Sequence, residues 1–551
     1  MRWLVVALAA LASGCVKRVP TGDDTVVFVA KQVRTLDPKR PVAQAIAWKH
    51  GKIIAVGSER EVLDAAGSDA LVERFPDSTI VPGLVDSHGH LESLGRSLTH
   101  VSLLGTTSEA DAVAKVKAAP ASSYQGAWLR GRGWDQNDWA GQAWPTKASL
   151  DAIAPDVPVY LSRIDGHAAW VNSKALALAG VTAKTPDPVG GRFLRDARGE
   201  PTGVLIDNAM DVVAEKIPAP SDEELRARLK AALELCARLG LTQVHEAGMD
   251  LRTFRLLQQW DMLGVLPVRV YVMADGQGSE IDDWLGLGTF SGRALELKAV
   301  KLLIDGALGS RGAWLHAPYA DEPGSTGLPL MPAEELARRA RAFDERGFQV
   351  AVHAIGDRGN SVVLDVLSAL DPKHRHRVEH AQVLRPEDVA RFAKAGVIAS
   401  FQPTHATSDM PWAEARLGPE RIKGAYAWRS VLDSGAHVTF GSDFPVEDPN
   451  PLWGLYAART RQAHDGQPAG GWHPEQKVSG QEALAGFTTG GAWAAFAEDR
   501  RGQLRVGFDA DFVVLPVDPV EGAPNELINA KVQVTVVQGI DVYRAGSSGA
   551  R

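Results

Sequence analysis

Five residues with metal-capable side chains and one lysine lie at or near the ends of apolar segments at widely separated points of the sequence. The first two, His88 and His90, come directly after the apolar run 80–85, and the others are Lys301, His353, His380 and Asp443. Residues two apart in a strand point the same way, so both imidazoles can face one site, with Gly89 leaving space between them. Imidazole and carboxylate ligands suit Zn²⁺ and related ions. The pattern therefore predicts a metal site, provided that the fold brings these segments together.

Apolar runs typical of strands alternate with helical patterns through the middle of the chain. Ten segments are strand candidates: TIVPGLVD, WLRGRGW, PVYLSRID, LTQVHEAG, VRVYVMAD, LKAVKLLIDG, FQVAVHAIGD, HRVEHAQV, VIASFQPT and HVTFGSDFP. This alternation predicts an α/β fold, a (β/α)8 TIM-type barrel with an inserted module at about 105–225, where Trp, Gly and Pro are frequent. Active sites of such barrels lie at the carboxyl ends of the strands, so the six dispersed residues can converge on one mouth.

Short β-rich segments flank the chain at both ends. Residues 23–80 and 501–546 have strand-like runs broken by turn residues. We expect the two segments to meet as one small β-sandwich. The barrel domain then occupies residues 81–500.

Residues 1–15, MRWLVVALAALASGC, are predicted to be a lipoprotein signal peptide. One Arg precedes a short apolar stretch that ends in small residues and Cys15. The stretch is too short to span a bilayer and has the length of a signal peptide. LASGC resembles a bacterial lipobox, in which Cys15 is lipidated after cleavage. An ordinary secretory signal with an incidental cysteine is the alternative. The resulting prediction is an exported, membrane-anchored lipoprotein that faces the periplasm or sits on the outer membrane.

Composition excludes few partners. The chain has 551 residues, of which 45% are hydrophobic and 23% charged, and a formal net charge of −8. These values are typical of a globular protein. They lack the basic excess of nucleic-acid binders, so nucleic acid is not an expected partner. The expected partners are a small amide-type substrate and a membrane reached through the lipid anchor alone. A homodimer stays open.

Several motifs resemble the amidohydrolase superfamily, and the wider pattern resembles amidohydrolase family 3, which includes N-substituted formamide deformylases. The metal-binding motifs are VDSHGH, AVKLLIDGALGSR, VAVHAIGD, RVEHAQ and GSDFPV. The motifs typical of the branch are GRGWDQNDW, DGHAAWVNSKAL, PTGVLIDNAM, FQPTHATSDMPW and GQLRVGFDADFVVL. The resemblance covers nearly all of the chain after the signal segment, with the motifs in the same order.

The resemblance implies a centre of two divalent ions. The first ion would be held by His88, His90 and Asp443, and the second by His353 and His380. Lys301, carboxylated by carbon dioxide, would bridge them. Zn²⁺ suits the His-rich set, while Mn, Fe and Co stay open. A plain lysine is a cation and cannot bind a cation, whereas a carbamate offers two anionic oxygens. The alternative for Lys301 is an ammonium group paired with Asp305.

The implied reaction is hydrolysis of a C–N bond, of amide or N-formyl type. A hydroxide that bridges the metals would attack the substrate carbonyl. Asp443 would carry the proton from the water to the leaving nitrogen. A deaminase, a cyclic amidase and a lactonase or esterase remain alternatives on the same scaffold. A non-catalytic surface lipoprotein is a more remote one, since decay would remove ligands and all six are present.

Five further residues are candidates for the substrate pocket. His167 is predicted to be catalytic, polarising the carbonyl or stabilising the oxyanion. Arg311, His405, Asp409 and Trp134 are predicted to contact substrate. The alternatives are a packing role for His167 and Trp134, and a salt bridge for Arg311.

Overall fold

The computed structural model describes residues 23–120 and 123–546. The predicted signal peptide at 1–15, with Cys15, lies outside the described residues. Within the described ranges there are 23 strands and 19 α-helices. None of these helices is both long and apolar enough to cross a bilayer.

The strands fall into three sheets: one built from the two chain ends, one in the inserted module, and the barrel. In chain order they are β1 (Val26–Arg34), β2 (Val42–Lys49), β3 (Lys52–Gly57), β4 (Leu71–Pro82), β5 (Leu84–Gly89), β6 (Val101–Ser102), β7 (Tyr124–Gln125), β8 (Trp128–Trp134), β9 (Val159–Arg163), β10 (Ala168–Val171), β11 (Gly191–Arg195), β12 (Pro201–Asp207), β13 (Leu241–Met249), β14 (Arg269–Asp275), β15 (Phe290–Ser291), β16 (Leu295–Leu303), β17 (Gln349–Ala354), β18 (Arg377–His380), β19 (Ile398–Phe401), β20 (Val438–Phe440), β21 (Phe512–Leu515), β22 (Val534–Val537) and β23 (Ile540–Arg544).

Most of the helices follow strands of the barrel. In chain order they are α1 (Glu59–Ala66), α2 (Leu91–Ser97), α3 (Glu109–Lys117), α4 (Lys147–Asp151), α5 (Ser173–Leu178), α6 (Ala209–Ala214), α7 (Asp222–Arg238), α8 (Leu251–Leu263), α9 (Ile281–Leu287), α10 (Ala333–Asp344), α11 (Asp357–Leu367), α12 (Pro386–Ala395), α13 (Pro403–Asp409), α14 (Ala413–Arg421), α15 (Trp428–Asp433), α16 (Pro451–Thr460), α17 (Gly480–Gly486), α18 (Thr489–Ala494) and α19 (Glu526–Asn529). Local sequence fixes some of their ends: Ser221 and Glu224 form a capping box at the start of α7.

Eight parallel strands form a nearly closed barrel, which confirms the predicted fold class. Their order is β5, β13, β14, β16, β17, β18, β19 and β20. The barrel closes where β20 meets β5: the Asp443 amide donates to the His88 carbonyl at 2.7 Å, and the His90 amide donates to the Phe444 carbonyl at 2.8 Å. Strands such as β17, QVAVHA, are buried along their whole length, as expected for parallel strands covered on both faces.

The inserted module has its own sheet, in the order β11-β12-β10-β9-β8-β6, with β7 paired to β8. Two of the ten strand candidates, WLRGRGW and PVYLSRID, belong to this sheet as β8 and β9. One face of the sheet packs a cluster of Trp134, Trp139, Trp170 and aliphatic residues. The other eight candidates supply the barrel strands.

Both chain ends contribute to one seven-stranded sheet, in the order β23-β22-β21-β4-β1-β2-β3. This sheet curls enough for the ring of Trp48 on β2 to lie 5.1 Å from the ring of Phe512 on β21, three strands away. Its apolar face forms a separate small core with Phe28 and Val536. The strand β4 then leads directly into the first barrel strand through Gly83.

Candidate metal centre

The structure brings all six sequence-predicted ligands to one cavity at the carboxyl ends of the barrel strands. His88 lies on β5, Lys301 on β16, His353 on β17 and His380 at the end of β18, while His90 and Asp443 directly follow β5 and β20. The cavity has a volume of about 570 Å³ and all six side chains line it. All six residues thus lie at one mouth.

His88, His90 and Asp443 form the first metal-capable group. One potential ligand atom from each lies within 4.8 Å of the others. Nε2 of His90 is 3.1 Å and Nε2 of His88 is 3.5 Å from Oδ1 of Asp443. Asp443 has a φ of 60°, outside the strand region, at the turn where its side chain enters the mouth. The pair of histidines thus shares one carboxylate, as the spacing of two residues allows.

The buried carboxylate of Glu379 sets the orientation of His88. Its Oε2 lies 2.5 Å from Nδ1 of His88, which places the proton on Nδ1 and leaves the Nε2 lone pair facing the mouth. Asp86 supports the same segment by accepting hydrogen bonds from the backbone amides of His88 and Ser442. A ligand histidine needs this arrangement, because only the nitrogen without a proton can bind a cation.

His380, His405 and Asp443 form the second metal-capable group. Oε1 of Gln402 lies 2.8 Å from Nδ1 of His380, which again frees Nε2. A regular strand would point Glu379 and His380 to opposite faces, but His380 has a φ of 71°. His380 lines the cavity, while Glu379 is buried and contacts His88. The ring of His353 lies 4.5 Å from that of His380.

Two buried nitrogens in the mouth have no hydrogen-bond partner among the described residues: Nε2 of His353 and Nε2 of His405. Buried polar groups are otherwise almost always paired, so each such atom calls for an explanation. A divalent cation would supply one, since it binds a free imidazole lone pair. The donor set of the mouth therefore fits a metal.

Burial shapes the protonation of the mouth. It lowers the pKa of His88 to about 4, with help from the nearby Lys301, and lowers the pKa values of His353 and His380 well below 6.5. Burial would raise the pKa of Asp443, but hydrogen bonding from His90 and its other histidine neighbours hold that pKa well below 3.8. Neutral imidazoles around an ionised carboxylate are the forms that bind metal.

Lys301 is buried at the centre of the site. Its Nζ lies 3.0 Å from Nε2 of His88. Burial, opposed by Glu379 and Asp443, lowers its pKa to about 8. Asp305, the alternative partner, instead accepts hydrogen bonds from the backbone amides of Trp314, Ile355 and Gly356. Lys301 makes no ion pair within 4 Å in the described part of the chain.

His167 reaches the cavity from the inserted module. Its ring lies 5.2 Å from the ring of His353, and its Nδ1 lies 2.7 Å from Oδ1 of Asp207. Burial alone would lower the pKa of His167, but the hydrogen bond and charge of Asp207 outweigh it and raise that pKa to about 9. The result is a hydrogen-bond donor that faces the predicted reaction centre.

The other predicted substrate residues divide into two groups. His405 and Asp409 line the cavity, and Asp409 accepts a hydrogen bond of 2.6 Å from Tyr426. Arg311 does not line it; its guanidinium pairs with Asp321 at 2.9 Å, which is the salt bridge given as its alternative. Trp134 does not line it either and is fully buried in the module core, where its Nε1 donates to a backbone carbonyl. The structure thus corrects the placement of Arg311 and Trp134.

A second HxH motif, His374 and His376, precedes β18 at the opposite end of the barrel. Together with Asp344 it forms a third group of metal-capable side chains. Nδ1 of His376 accepts a hydrogen bond of 3.0 Å from the Val350 amide, so the proton of a neutral ring sits on Nε2, 3.3 Å from Asp344. That proton occupies the position a metal would need. His376 is therefore not in the form that binds a cation, although its Nε2 has no hydrogen-bond partner among the described residues.

Sequence reasoning missed the residues that orient three of the predicted site histidines, His88, His380 and His167. Glu379, Gln402 and Asp207 each hold a functional histidine by its Nδ1. A signal existed for Asp86, which stands two residues before His88 in VDSHGH and so shares its face of β5. No such signal existed for Glu379. It is next to His380 in the sequence, and successive residues of a strand normally point to opposite faces.

The comparisons with known proteins agree with this site. The model of the amidohydrolase family matches residues 77–543. The chain belongs to the amidohydrolase family. It is 35% identical to "Putative amidohydrolase YtcJ" of Bacillus subtilis (strain 168), with 91% of this amidohydrolase and 96% of that protein covered. It is 29% identical to the N-substituted formamide deformylase of Arthrobacter pascens, over 95% of this chain and 99% of that one.

A solved structure of similar fold is that of an uncharacterized metal-dependent hydrolase from Pyrococcus horikoshii OT3. It has a TM-score of 0.74 and 28% sequence identity, and the match covers 91% of this amidohydrolase and 99% of that chain. The family and the histidine and aspartate groups of the mouth agree on one conclusion. This amidohydrolase is a member of a metal-dependent family of hydrolases, and its mouth has the residues to hold a metal.

Proposed function

We propose that this chain hydrolyses a C–N bond of amide or N-formyl type at a centre of two divalent cations, with Zn²⁺ the first candidate. One observation carries the proposal: the Nε2 atoms of His88 and His380 carry no proton, because acceptors hold the protons on Nδ1, so both lone pairs can bind a cation. The named relative that deformylates N-substituted formamides supports the choice of bond.

The predicted ligands would hold the two cations in two groups. His88, His90 and Asp443 would hold one cation, and His353 and His380 the other, with His405 close enough to contribute. Lys301 can join them only as an anion, since an ammonium group repels a cation. Reaction of its amine with carbon dioxide, with loss of a proton, gives a carbamate with two oxygens. Two cations held in this way would lower the pKa of a water molecule and polarise a carbonyl group.

Asp443 and His167 would then transfer the proton and stabilise the developing charge. Asp443 would accept the proton of the attacking water at a carboxylate oxygen and donate it to the leaving nitrogen. His167 would donate a hydrogen bond to the carbonyl oxygen as negative charge develops there, while Asp207 holds its ring in place. Other residues of the module that carries His167, such as Tyr160, also line the mouth.

Metal content is the first test. The full chain, purified without chelator, should contain about two divalent ions by elemental analysis. The metal-loaded protein should then cleave at least some members of a panel of N-formyl amines, acyl amides and esters. About one ion would favour a deaminase-like centre. No metal after reconstitution with Zn²⁺ and bicarbonate would contradict the proposal and favour a non-catalytic protein.

A further inference from the structure

Two arginines of the inserted module face the cavity. Arg130 and Arg132 lie two residues apart on β8, so their side chains leave the same face of the sheet. The register pairs Arg130 with Tyr160 on β9, and the Arg130 guanidinium lies 5.1 Å from the centre of that ring. Both arginines and Tyr160 line the cavity that holds the metal-capable residues. The opposite face of β8, with Leu129, packs in the module core.

These arginines have no carboxylate partner. Within the described ranges, neither Arg130 nor Arg132 makes an ion pair within 4 Å. Arg130 is 7% exposed, has one hydrogen bond of 3.4 Å to Gln125, and its Nε has no partner. Arg132 donates only to backbone carbonyls, those of Pro445 and Ile164. The first of these carbonyls is two residues from Asp443.

Two further arginines lie near Arg130 and share a single carboxylate partner. Arg96 and Arg228 lie beside Arg130, and both pair with Glu92, at 3.7 and 2.8 Å. One carboxylate therefore serves a group of several guanidinium groups. Burial, followed by the charge of Arg96, lowers the pKa of Arg130 to about 10, and the same two causes lower that of Arg132 to about 10.

Four of the acidic residues that line the cavity have partners other than Arg130 and Arg132. Asp135 and Asp165 both pair with Arg163. Asp409 accepts from Tyr426, as described above, and Glu447 accepts from Ser408 at 2.5 Å. A buried charge without a partner is costly, and proteins usually retain one only where a ligand neutralises it. Arg130 and Arg132, which lack a carboxylate partner within 4 Å, therefore point to an anionic ligand.

We propose that Arg130 and Arg132 bind an oxyanion, a carboxylate or a phosphate group, carried by the substrate. The inference rests on the proposed function, because it names the class of amide that the site hydrolyses. Guanidinium groups suit both oxyanions, since their paired N–H donors match two oxygens. A second cleft of about 400 Å³ shares Arg96 and Arg130 with the cavity, so there is room for the charged end beyond the reacting carbonyl.

Matched substrates test the proposal. N-acyl amines of equal length, ending in a carboxylate, a phosphonate or a neutral carboxamide, would be compared with the metal-loaded full chain. We expect kcat/KM to be at least about tenfold higher for one or both of the charged compounds. Arg130→Gln and Arg132→Gln should reduce that preference by about tenfold, mainly through KM. The carboxylate and phosphonate arms show which oxyanion the site takes.

Controls separate this proposal from the proposed function and from misfolding. Arg501→Gln removes a buried arginine at the opposite end of the barrel and should leave the preference unchanged. Arg130→Lys keeps the charge and should retain part of it. Equal turnover of charged and neutral amides, or an unchanged preference in both Gln variants, would overturn the proposal.

If no amide were cleaved, that result would contradict the proposed function but not the arginine site. A binding measurement tests the arginine site in that case. The carboxylate and phosphonate amides would be titrated calorimetrically into the full chain. Binding that weakens by about tenfold in Arg132→Gln, with an unchanged thermal unfolding midpoint, would support the arginine site. Equal affinity of the wild type and the variant for both compounds would overturn it.

Discussion

The two ends of the barrel both bury charges and histidines, but they arrange them differently. At the end that faces the terminal sheet, Arg269, Arg500 and Arg501 each contact a carboxylate: Asp511 at 2.6 Å for the first, and Glu296 at 2.7 and 3.2 Å for the others. At the mouth, Arg130 and Arg132 have no carboxylate partner among the described residues. A buried pair neutralises its own charges, whereas a buried charge without a partner is costly unless a ligand neutralises it.

The two HxH motifs, one at each end of the barrel, also have different surroundings. His88 and His90 follow β5 at the mouth, while His374 and His376 precede β18 at the opposite end. At the mouth an acceptor, Glu379, holds the proton of His88 on Nδ1 and leaves Nε2 without one; at the other end a donor, the Val350 amide, occupies Nδ1 of His376. The partner of Nδ1 thus separates a histidine whose Nε2 can bind a cation from one whose Nε2 carries a proton, although the motif is the same.

The largest expected effect is that of Asp443→Asn. The amide can still contact a cation through its oxygen, but it cannot accept a proton, so we expect hydrolysis to fall by about a thousandfold or more while much of the metal remains. Turnover of a cleavable amide and metal content would both be measured. Asp344→Asn, in the cluster at the other end, is the matched control and should keep both. Near-normal turnover in Asp443→Asn would refute the proton-transfer role.

Lys301→Ala tests the bridge. Loss of the proposed carbamate should reduce the metal content from about two ions to one or none, and short carboxylic acids should partly restore it by supplying a replacement anion. Lys298→Ala changes a half-buried lysine of the same strand that pairs with Glu296 at 3.3 Å, and should not affect the metal. An unchanged metal content in Lys301→Ala would exclude the bridging role.

A smaller effect is expected for Glu379→Gln. The substitution removes the negative charge that fixes the His88 tautomer, so we expect metal affinity to fall by roughly 10- to 100-fold. Competition with a chelator of known affinity would measure this. Glu296→Gln, which alters a carboxylate at the opposite end, should leave metal affinity unchanged. If the two variants were equal, the orienting role of Glu379 would be wrong.

Much of the barrel could be predicted because its signals are local. Each of the ten strand candidates is an apolar run, and the structure contains a strand at each. The six predicted ligands could be assigned to one cavity because the carboxyl ends of parallel strands meet at one mouth. Nothing beyond strand position and residue type was needed for His88 and His353.

The missed or misplaced residues depend on contacts between distant parts of the chain. Arg132 and Arg311 both lie in glycine-rich motifs, yet only Arg132 reaches the mouth, because β8 packs near residue 445. Glu379 contacts His88 while its neighbour His380 lines the cavity, and His380 has a positive φ, which strand alternation does not predict. Trp134 is at the module core because its neighbours in the folded sheet are other tryptophans.

The smallest expected effect on the metal is that of His376→Leu, and it tests the tautomer argument directly. The substitution removes the acceptor of the Val350 amide and leaves that buried donor unpaired, so it should destabilise the fold by about 1–3 kcal/mol. Because Nε2 of His376 carries a proton in the neutral ring, metal content and turnover of the folded protein should not change. Thermal unfolding and elemental analysis would measure the two quantities on the same sample. A lost equivalent of metal would mean that a cation can displace that proton, and the partner of Nδ1 would then no longer distinguish the two HxH motifs.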